Sequence, residues 1–367
     1  MTEWYPIANA EAVDSPALLV YADRVRANIR VAIGMVGDVN RLRPHVKTHK
    51  MAEVARMMMD ESIRKFKCAT IAEAEMLALV QAPDVLLAYQ PIGPKIDRLR
   101  KLVEQYPDTQ FACLVDNVAA ARALAVAFYE AGQTLPVLLD LNVGQNRTGI
   151  VPENALALYQ ACAELEGIAP VGLHAYDGHL RDPDLAVRQQ QCDEGFVRVK
   201  TLVDQLTAQE FAAPVVVAGG SPSFPIHARR DGVEASPGTF IFWDWGYRTI
   251  LPEQPFQFAA LVLTRVISRI DATTLCLDLG HKSIAAENPF PRVKFLNAPD
   301  AQPVSQSEEH LVVQVEATSP YRVGDVFYGV PIHICPTVAL YDTAQIVQNG
   351  RVEDHWRVVA RDRFIHI

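Results

Sequence analysis

The sequence of 367 residues lacks the features that mark secreted and membrane-spanning proteins. Its six cysteines are scattered, with no Cys-x-x-Cys pair and none of the close spacing that small disulfide-rich domains show. No apolar run approaches the length that crosses a bilayer, and the opening stretch MTEWYPIANAEAVDSP has no basic segment followed by an apolar one. We therefore expect a cytoplasmic protein that binds no membrane.

An excess of basic residues is also missing. The chain has 43 acidic and 34 basic residues, which gives a formal net charge of -9. Such a balance argues against a nucleic-acid partner, although local cationic clusters can still bind small anions. We find no internal repeat or low-complexity tract, and the length suggests two domains with a large buried core.

Short apolar runs of β type alternate with amphipathic stretches from residue 41 to about residue 240. The eight runs are 41–47, 65–71, 84–89, 110–116, 135–142, 170–178, 214–221 and 234–242. This alternation predicts an α/β fold, a (β/α)8 barrel, with an open doubly wound sheet as the competitor. The barrel is favoured because polar residues follow the ends of many different strands, whereas open sheets concentrate them at one switch point.

The pattern changes after residue 250, where long β-type runs follow one another without helices between them. This is typical of an antiparallel β domain. We predict a barrel over 22–250 and a C-terminal β domain over 251–367, to which residues 1–21 contribute.

The stretch RLRPHVK (41–47) concentrates positive charge. The period of two along a strand would place Arg43, His45 and Lys47 on one face, which points into the barrel if the apolar face meets the helices. A lysine among cations has a depressed pKa and can act as a nucleophile toward a carbonyl group. The alternative is a lysine that simply reaches solvent at a strand end.

Two glycine-containing stretches fall at the last two predicted strands: AGGSPS (218–223) follows the apolar run PVVVA, and SPGT (236–239) lies in the next strand. Glycine lets the backbone approach a ligand and aim N–H groups at an anion, and barrel enzymes bind phosphate at this position. A plain tight turn is the alternative for each of them.

The stretch PIHICPT (331–337) contains His333 and Cys335. In a strand these residues would share a face, so that an imidazole nitrogen and a thiolate could bind one metal ion such as zinc. Ordinary packing of a small buried cysteine is the alternative.

Six motifs in this order resemble the D-threonine aldolase and D-serine dehydratase group of pyridoxal-phosphate enzymes, which has the alanine-racemase fold (fold type III). The motifs are RPHVKTHK, NVGQNRTGI (142–150), YDGH (176–179), AGGS, SPGTF (236–240) and HICPT (333–337). The resemblance implies pyridoxal 5'-phosphate as cofactor, carried by Lys47, with His45 as a cationic neighbour. It further implies that Arg147 approaches the phenolic oxygen and Tyr176 the pyridine ring. The phosphate would be held by Gly219, Gly220, Ser221, Gly238 and Thr239.

The same resemblance places a divalent metal on His333 and Cys335. Aldolases of the group are expected to carry His-x-Asp at this place and dehydratases His-x-Cys, and a thiolate favours zinc over manganese or magnesium. The stretches YDGH and DLGHKSIAAENP (278–289) look more like the aldolase branch.

We therefore expect a lyase that cleaves a β-hydroxy D-amino acid by a retro-aldol reaction to glycine and an aldehyde. The alternative is a dehydratase acting by β-elimination on D-serine or 3-hydroxyaspartate, which gives a 2-oxo acid and ammonia. A racemase and a non-catalytic pyridoxal-phosphate carrier are less favoured, because neither uses a metal pair. A metal-bound water, His179 and His281 are candidate bases for the β-hydroxyl group that the sequence does not rank. A homodimer is expected by analogy with the fold class.

Overall fold

The protein is described by a computed structural model that covers residues 3–367. The chain divides into two compact units. The barrel unit comprises Ala32–Lys47, Ala55–Gly238 and Asp362–Ile367. The β unit comprises the residues up to Val31 together with Thr48–Val54 and Thr239–Arg361.

Sixteen strands and ten α-helices make up the described chain. The strands are β1 (Ala17–Tyr21), β2 (Lys65–Cys68), β3 (Asp84–Leu87), β4 (Gln110–Val115), β5 (Leu135–Leu141), β6 (Ile168–Ala175), β7 (Val215–Ala218), β8 (Val233–Ala235), β9 (Ala260–Arg269), β10 (Thr274–Leu277), β11 (Val293–Phe295), β12 (Gln302–Gln306), β13 (Leu311–Gln314), β14 (Val326–Pro331), β15 (Thr343–Gln348) and β16 (Arg351–Arg357). The helices are α1 (Ala22–Val36), α2 (Ala52–Asp60), α3 (Ile71–Leu79), α4 (Pro94–Gln105), α5 (Val118–Glu130), α6 (Pro152–Ala163), α7 (Leu185–Ala208), α8 (Phe224–His227), α9 (Trp245–Ile250) and α10 (Ile334–Val338). Among the described helices, none has the length and apolar character needed to cross a membrane.

The barrel unit is built on a parallel sheet whose strands follow one another in sequence order from β2 to β8. The helices α3 to α7 connect successive strands, and most carry a clear start signal. Thr70 and Asn117, for example, accept hydrogen bonds from backbone N–H groups in the first turns of α3 and α5. The predicted combination of a β/α barrel and a second domain of mainly antiparallel sheet is confirmed.

The predicted first strand, 41–47, is the exception. The ends of this segment lie in two short 3-10 helices, Val39–Arg41 and Val46–Thr48. Between them the segment forms only isolated bridges, from Leu42 to Ala235 on β8 and from His45 to Lys67 on β2. Pro44 lies between these bridges and has no N–H group to donate to a ladder, which explains why no regular strand forms. The segment nevertheless hydrogen-bonds to both edge strands of the sheet, so it takes the eighth position of the barrel.

The β unit contains a sheet in the order β12-β13-β10-β9-β1-β15-β16, with β14 pairing with β9 and β11. All pairs are antiparallel except β1 with β15. Its core packs side chains of alternate positions on these strands, such as Val262, Leu275 and Phe327. Because β1 lies between β9 and β15, the N-terminal strand is part of this unit.

A buried network of ion pairs holds the eighth barrel position. The guanidinium group of Arg43 donates to both carboxylate oxygens of Asp84, at 2.5 and 3.0 Å, and to Oε2 of Glu234 at 2.6 Å. The other oxygen of Glu234 accepts a hydrogen bond from Lys65. Arg43 is only 5% exposed, so its charge depends on these acids for compensation. The network joins the segment 42–45 to β2, β3 and β8.

We expect Glu234→Ala to lower the free energy of unfolding by about 3–5 kcal/mol, because it leaves the buried Arg43 charge only partly compensated. Urea denaturation measures this change. The matched control is Glu153→Ala, which removes an exposed ion pair with Arg198 from the same unit and should have little effect. Equal losses in the two variants would show that the buried network does not stabilise the barrel.

Candidate active site

A cavity of about 590 Å³ opens in the barrel unit at the carboxyl ends of the strands. Parallel strands bring the residues at and just beyond their last positions to one end of the barrel, which is where barrel enzymes place their active sites. Ionisable and polar side chains from several different segments line the cavity, among them Lys47, Lys67, Asp140, Arg147, His174 and Tyr176.

Three cationic groups surround the aromatic ring of Tyr176. The Nζ atoms of Lys47 and Lys67 each lie 5.6 Å from the ring centre, and Cζ of Arg147 lies 5.1 Å from it. Burial and the charge of Lys47 lower the pKa of Lys67 to about 7. Because the repulsion among these cations is relieved by an anion, the cavity is suited to an aromatic, anionic ligand.

Asp140 and His174 form a buried pair at the same cavity. Nδ1 of His174 lies 2.8 Å from Oδ1 of Asp140. Burial lowers the pKa of His174 and is opposed by the hydrogen bond that His174 makes to Asp140. The hydrogen bonds that Asp140 accepts from His174 and Thr148 outweigh burial and lower the pKa of Asp140. The imidazole is therefore neutral and donates its Nδ1–H to the carboxylate. Nε2 is then an acceptor, and within the described part of the chain this buried atom has no hydrogen-bond partner.

The turn after β7 contains Gly219, Gly220 and Ser221. Gly219 has φ +80°, and a Cβ atom there would lie 2.6 Å from Cδ2 of His227. A Cβ atom on Gly220 would lie 2.8 Å from Cε2 of Tyr176. Both positions therefore require glycine. Their N–H groups are donated within the protein, to O of Ala175 and to Oγ of Ser223, so these two glycines provide close approach and not free donors.

Below this turn, a buried hydrogen-bond network leads to Asp177. Arginine can only donate, so Nδ1 of His227 accepts from Nη1 of Arg230 at 2.7 Å. Nε2 of His227 must then carry the proton, which it donates to Oδ2 of Asp177 at 2.8 Å. The hydroxyl of Ser223 donates to Oδ1 of Asp177 at 2.5 Å and accepts from the N–H of Gly220. The network thus anchors the glycine turn.

Cys192 joins Asp177 and His227 in a group of three whose ligand atoms are close enough to bind one metal ion. The hydrogen bonds argue against that role. Nε2 of His227 holds a proton that a metal would have to displace, and burial raises the pKa of the Cys192 thiol to about 12. The group is better described as an anchor held by its own hydrogen bonds.

His333 and Cys335 do not lie on a strand as predicted. β14 ends at Pro331, His333 is the N-cap of α10, and Cys335 lies in its first turn. Their side chains still meet, because the helical turn brings them into hydrogen-bond contact. The assumption of a strand was wrong, since Pro336 fits the first turn of a helix and interrupts the β pattern.

The surroundings of this pair suit a metal site. Nδ1 of His333 lies 2.6 Å from Oε1 of Glu287, which leaves Nε2 as the coordinating atom. Burial lowers the pKa of His333, but hydrogen bonds to Cys335 and Glu287 outweigh it and raise the pKa to about 9, so a metal ion would take the place of the proton on Nε2. The hydroxyl groups of Thr48 and Thr239 lie 3.2 and 3.5 Å from Sγ of Cys335. A carboxylate behind a histidine is the usual support of a metal ligand.

The sequence matches two known protein families. Residues 20–244 match the family described as "Alanine racemase, N-terminal domain". The chain belongs to this family. Residues 259–347 match a second family, described as "Putative serine dehydratase domain". The resemblance that the sequence motifs indicated is confirmed.

Relatives of this alanine racemase N-terminal domain protein match it over almost its whole length. A D-threonine aldolase from Arthrobacter sp. is 29% identical over 95% of this chain and 93% of its own. A 3-hydroxy-D-aspartate aldolase from Paracoccus denitrificans is 28% identical over 98% of this chain and 95% of the aldolase. The crystal structure of D-threonine aldolase from Filomicrobium marinum superposes with a TM-score of 0.88 at 27% identity, covering 98% of each chain.

The residues predicted from the sequence are distributed over the two units. His45, Lys47, Arg147 and Tyr176 line the barrel cavity. Gly219, Gly220, Ser221 and Gly238 belong to the barrel unit, whereas Thr239, His333 and Cys335 belong to the β unit. His179 is exposed outside the lining of the main cavity, and His281 is an exposed residue of the β unit.

Sequence reasoning missed Lys67, Asp140 and His174. Each lies on a strand, where side chains two residues apart share a face. Lys67 follows Lys65 by two residues and His174 precedes Tyr176 by two, so the sequence could have indicated these positions. Arg43 does not act as a cationic neighbour of Lys47 as predicted, because its guanidinium group is paired with Asp84 and Glu234. The cationic neighbour of Lys47 is Lys67 instead.

The cavity fits pyridoxal phosphate on two observations. Its cations converge beside one aromatic ring, where they can pair with the anionic phenolate and phosphate groups of the cofactor. The buried Nε2 of His174 has no hydrogen-bond partner within the described part of the chain, and a ligand can supply one. The donor set of His333 and Cys335, supported by Glu287, fits a zinc-like ion.

Proposed function

We propose that this protein is a lyase that uses pyridoxal phosphate and a divalent metal to cleave β-hydroxy D-amino acids into glycine and an aldehyde. The cluster of Lys47, Lys67 and Arg147 around Tyr176 carries the proposal, because it provides a lysine and an anion-binding wall at the active-site end of a barrel. The relatives named D-threonine aldolase and 3-hydroxy-D-aspartate aldolase support the reaction and the D configuration.

Lys47 would hold the cofactor covalently, and pyridoxal phosphate supplies, when bound, an electron sink for a carbanion at Cα. Arg147 would neutralise the phenolic oxygen, and the face of Tyr176 would bound the ring. The glycine turn, with Ser221, Gly238 and His45 as further contributors, would hold the phosphate side. The anchor at Asp177 keeps that turn in one conformation.

Within the cavity, the pair of Asp140 and His174 handles a proton. Asp140 fixes the tautomer in which Nε2 of His174 has no hydrogen, so this atom is a proton acceptor at neutral pH. It is a stronger candidate base than His179, which lies outside the cavity lining.

His333 and Cys335 would bind the divalent metal, with Glu287 fixing the orientation of the imidazole. A divalent metal supplies Lewis acidity toward a hydroxyl group. The thiolate favours zinc over manganese or magnesium. A homodimer and a cytoplasmic location are further proposals, which rest on the fold class and on composition.

Cys335 favours a second candidate, a dehydratase that eliminates water from a β-hydroxy D-amino acid and releases a 2-oxo acid and ammonia. The match of residues 259–347 to the serine dehydratase description supports it. The aldolase is preferred because the aldolase relatives match 95% and 98% of this chain. A racemase or a non-catalytic carrier would leave the pair of His333 and Cys335 without a purpose.

The purified protein should be yellow, and borohydride should fix the cofactor to Lys47. Peptide mapping by mass spectrometry identifies the labelled lysine. The matched control is Lys67→Met, which should keep the label on Lys47 because Lys67 only contributes charge to the cavity wall. A label on Lys67, Lys50 or Lys282 in the unmodified protein would contradict the assignment.

Chelation should abolish turnover while the cofactor absorbance stays largely unchanged, since metal and cofactor have separate ligands. His333→Ala should lose bound metal, measured by mass spectrometry of the purified protein, whereas His355→Ala, an exposed histidine of the same unit, should keep it. Cys335→Asp should shift the metal preference toward manganese. Full activity in the presence of chelator would mean that the pair is only packing.

D-threonine should give glycine and acetaldehyde as the main products, at a higher rate than D-serine is consumed. These products form when the Cα–Cβ bond breaks. The hydroxyl group on Cβ loses its proton and becomes the carbonyl group of the aldehyde, and Cα gains a proton to give glycine. Chromatography of glycine and an aldehyde assay measure them. Accumulation of 2-oxobutyrate and ammonia, or faster formation of pyruvate from D-serine, would establish the dehydratase instead.

A further inference from the structure

The cavity has a cationic lining residue that belongs to none of the predicted motifs. Arg363 lies in the segment 362–367, which is far in sequence from the barrel strands β2 to β8 but belongs to the barrel unit. Its side chain is exposed and lines the cavity together with residues that follow β3, such as Tyr89 and Gln90. It is not one of the cations around Tyr176, so it is available for another anion.

The segment that carries Arg363 is held by a buried carboxylate. Glu75 on α3 is 0% exposed. Its Oε1 accepts hydrogen bonds from N and Nδ1 of His366, both at 3.0 Å, and its Oε2 accepts from N of Ile367 at 3.3 Å. A carboxylate is costly to bury without such partners, so this contact fixes the segment in one place.

Arg98 on α4 provides a second attachment. Its Nη2 donates to the carbonyl oxygens of Arg363 and Ile367, at 3.0 and 2.5 Å. The ring of Phe364 lies 3.9 Å from Cζ of Arg98, which adds a cation–π contact. The backbone of Arg363 is thus held directly, at a residue that lines the cavity.

We infer that Arg363 binds a carboxylate group of the amino-acid substrate and that Glu75 and Arg98 position it. The inference rests on the proposed function, because an amino acid brings a carboxylate that needs its own cation once Lys47 and Arg147 are engaged by the cofactor. A guanidinium group matches a carboxylate with two parallel hydrogen bonds, which a lysine cannot do. The carboxylate can be the one on Cα or, in a substrate of the hydroxyaspartate class, the one on the side chain.

Calorimetric titration of the cofactor-loaded protein tests this without turnover. The probes are D-alanine, D-aspartate and ethylamine, which is D-alanine without its carboxylate. Arg363→Gln should weaken D-alanine binding roughly 10- to 100-fold and leave ethylamine binding unchanged. Arg363→Lys should restore part of the affinity. Arg100→Gln, which removes an exposed charge of α4 outside the cavity, should behave like the unmodified protein.

The two carboxylates are distinguished by the same titrations. Equal weakening of D-alanine and D-aspartate assigns Arg363 to the carboxylate on Cα, whereas weakening of D-aspartate alone assigns it to the side-chain carboxylate. The inference is wrong if neither acid is affected, if ethylamine weakens equally, or if only the affinity for the cofactor falls.

The positioning role of Glu75 has its own test. Glu75→Gln should weaken D-alanine binding, but the double variant with Arg363→Gln should bind no more weakly than Arg363→Gln alone, because both changes act through one guanidinium group. Additive losses would contradict this coupling. Failure of the unmodified protein to cleave D-threonine would refute the proposed aldolase while leaving these binding differences intact, so the two outcomes are separable.

Discussion

The pairing of Arg43 with Asp84 and Glu234 is the interaction on which the candidate site depends. The segment 42–45 has too few ladder hydrogen bonds to behave as a strand, because Pro44 removes one donor. A buried guanidinium group that contacts acids on two different strands takes over this task. Lys47 lies four residues after Arg43, so the ion pairs of Arg43 fix the position of Lys47 at the cavity.

The charge of the barrel cavity is opposite in sign to the net charge of the molecule. The chain is acidic, yet the barrel cavity gathers lysine and arginine side chains around one tyrosine. Lys67 tolerates this position because its pKa falls to about 7, which lets it lose its proton when no anion is near. The neutral His174 beside Asp140 adds an acceptor without adding another positive charge.

Much of the barrel could be predicted from periodicity, since alternating strands and helices leave a local signal. The turn at Gly219 was readable for the same reason, whereas Lys47 was predicted from a strand over 41–47 that does not form. The local structure at His333 was not readable, because Pro336 lies in the first turn of a helix where the flanking residues have a β pattern. Arg363 could not be found at all, since its placement comes from Glu75, which contacts residues about 290 positions later in the chain.

The hydrogen bonds of the network at Asp177 all run in one direction. It begins at Arg230 and at the N–H of Gly220, and neither of these groups can reverse its role from donor to acceptor. Every hydrogen between them must therefore point toward the carboxylate, through His227 from one side and through Ser223 from the other. Only one arrangement of protons satisfies all the partners. The glycine turn thus rests on a support with no proton disorder, and this sets the orientation of its peptide planes before any ligand arrives.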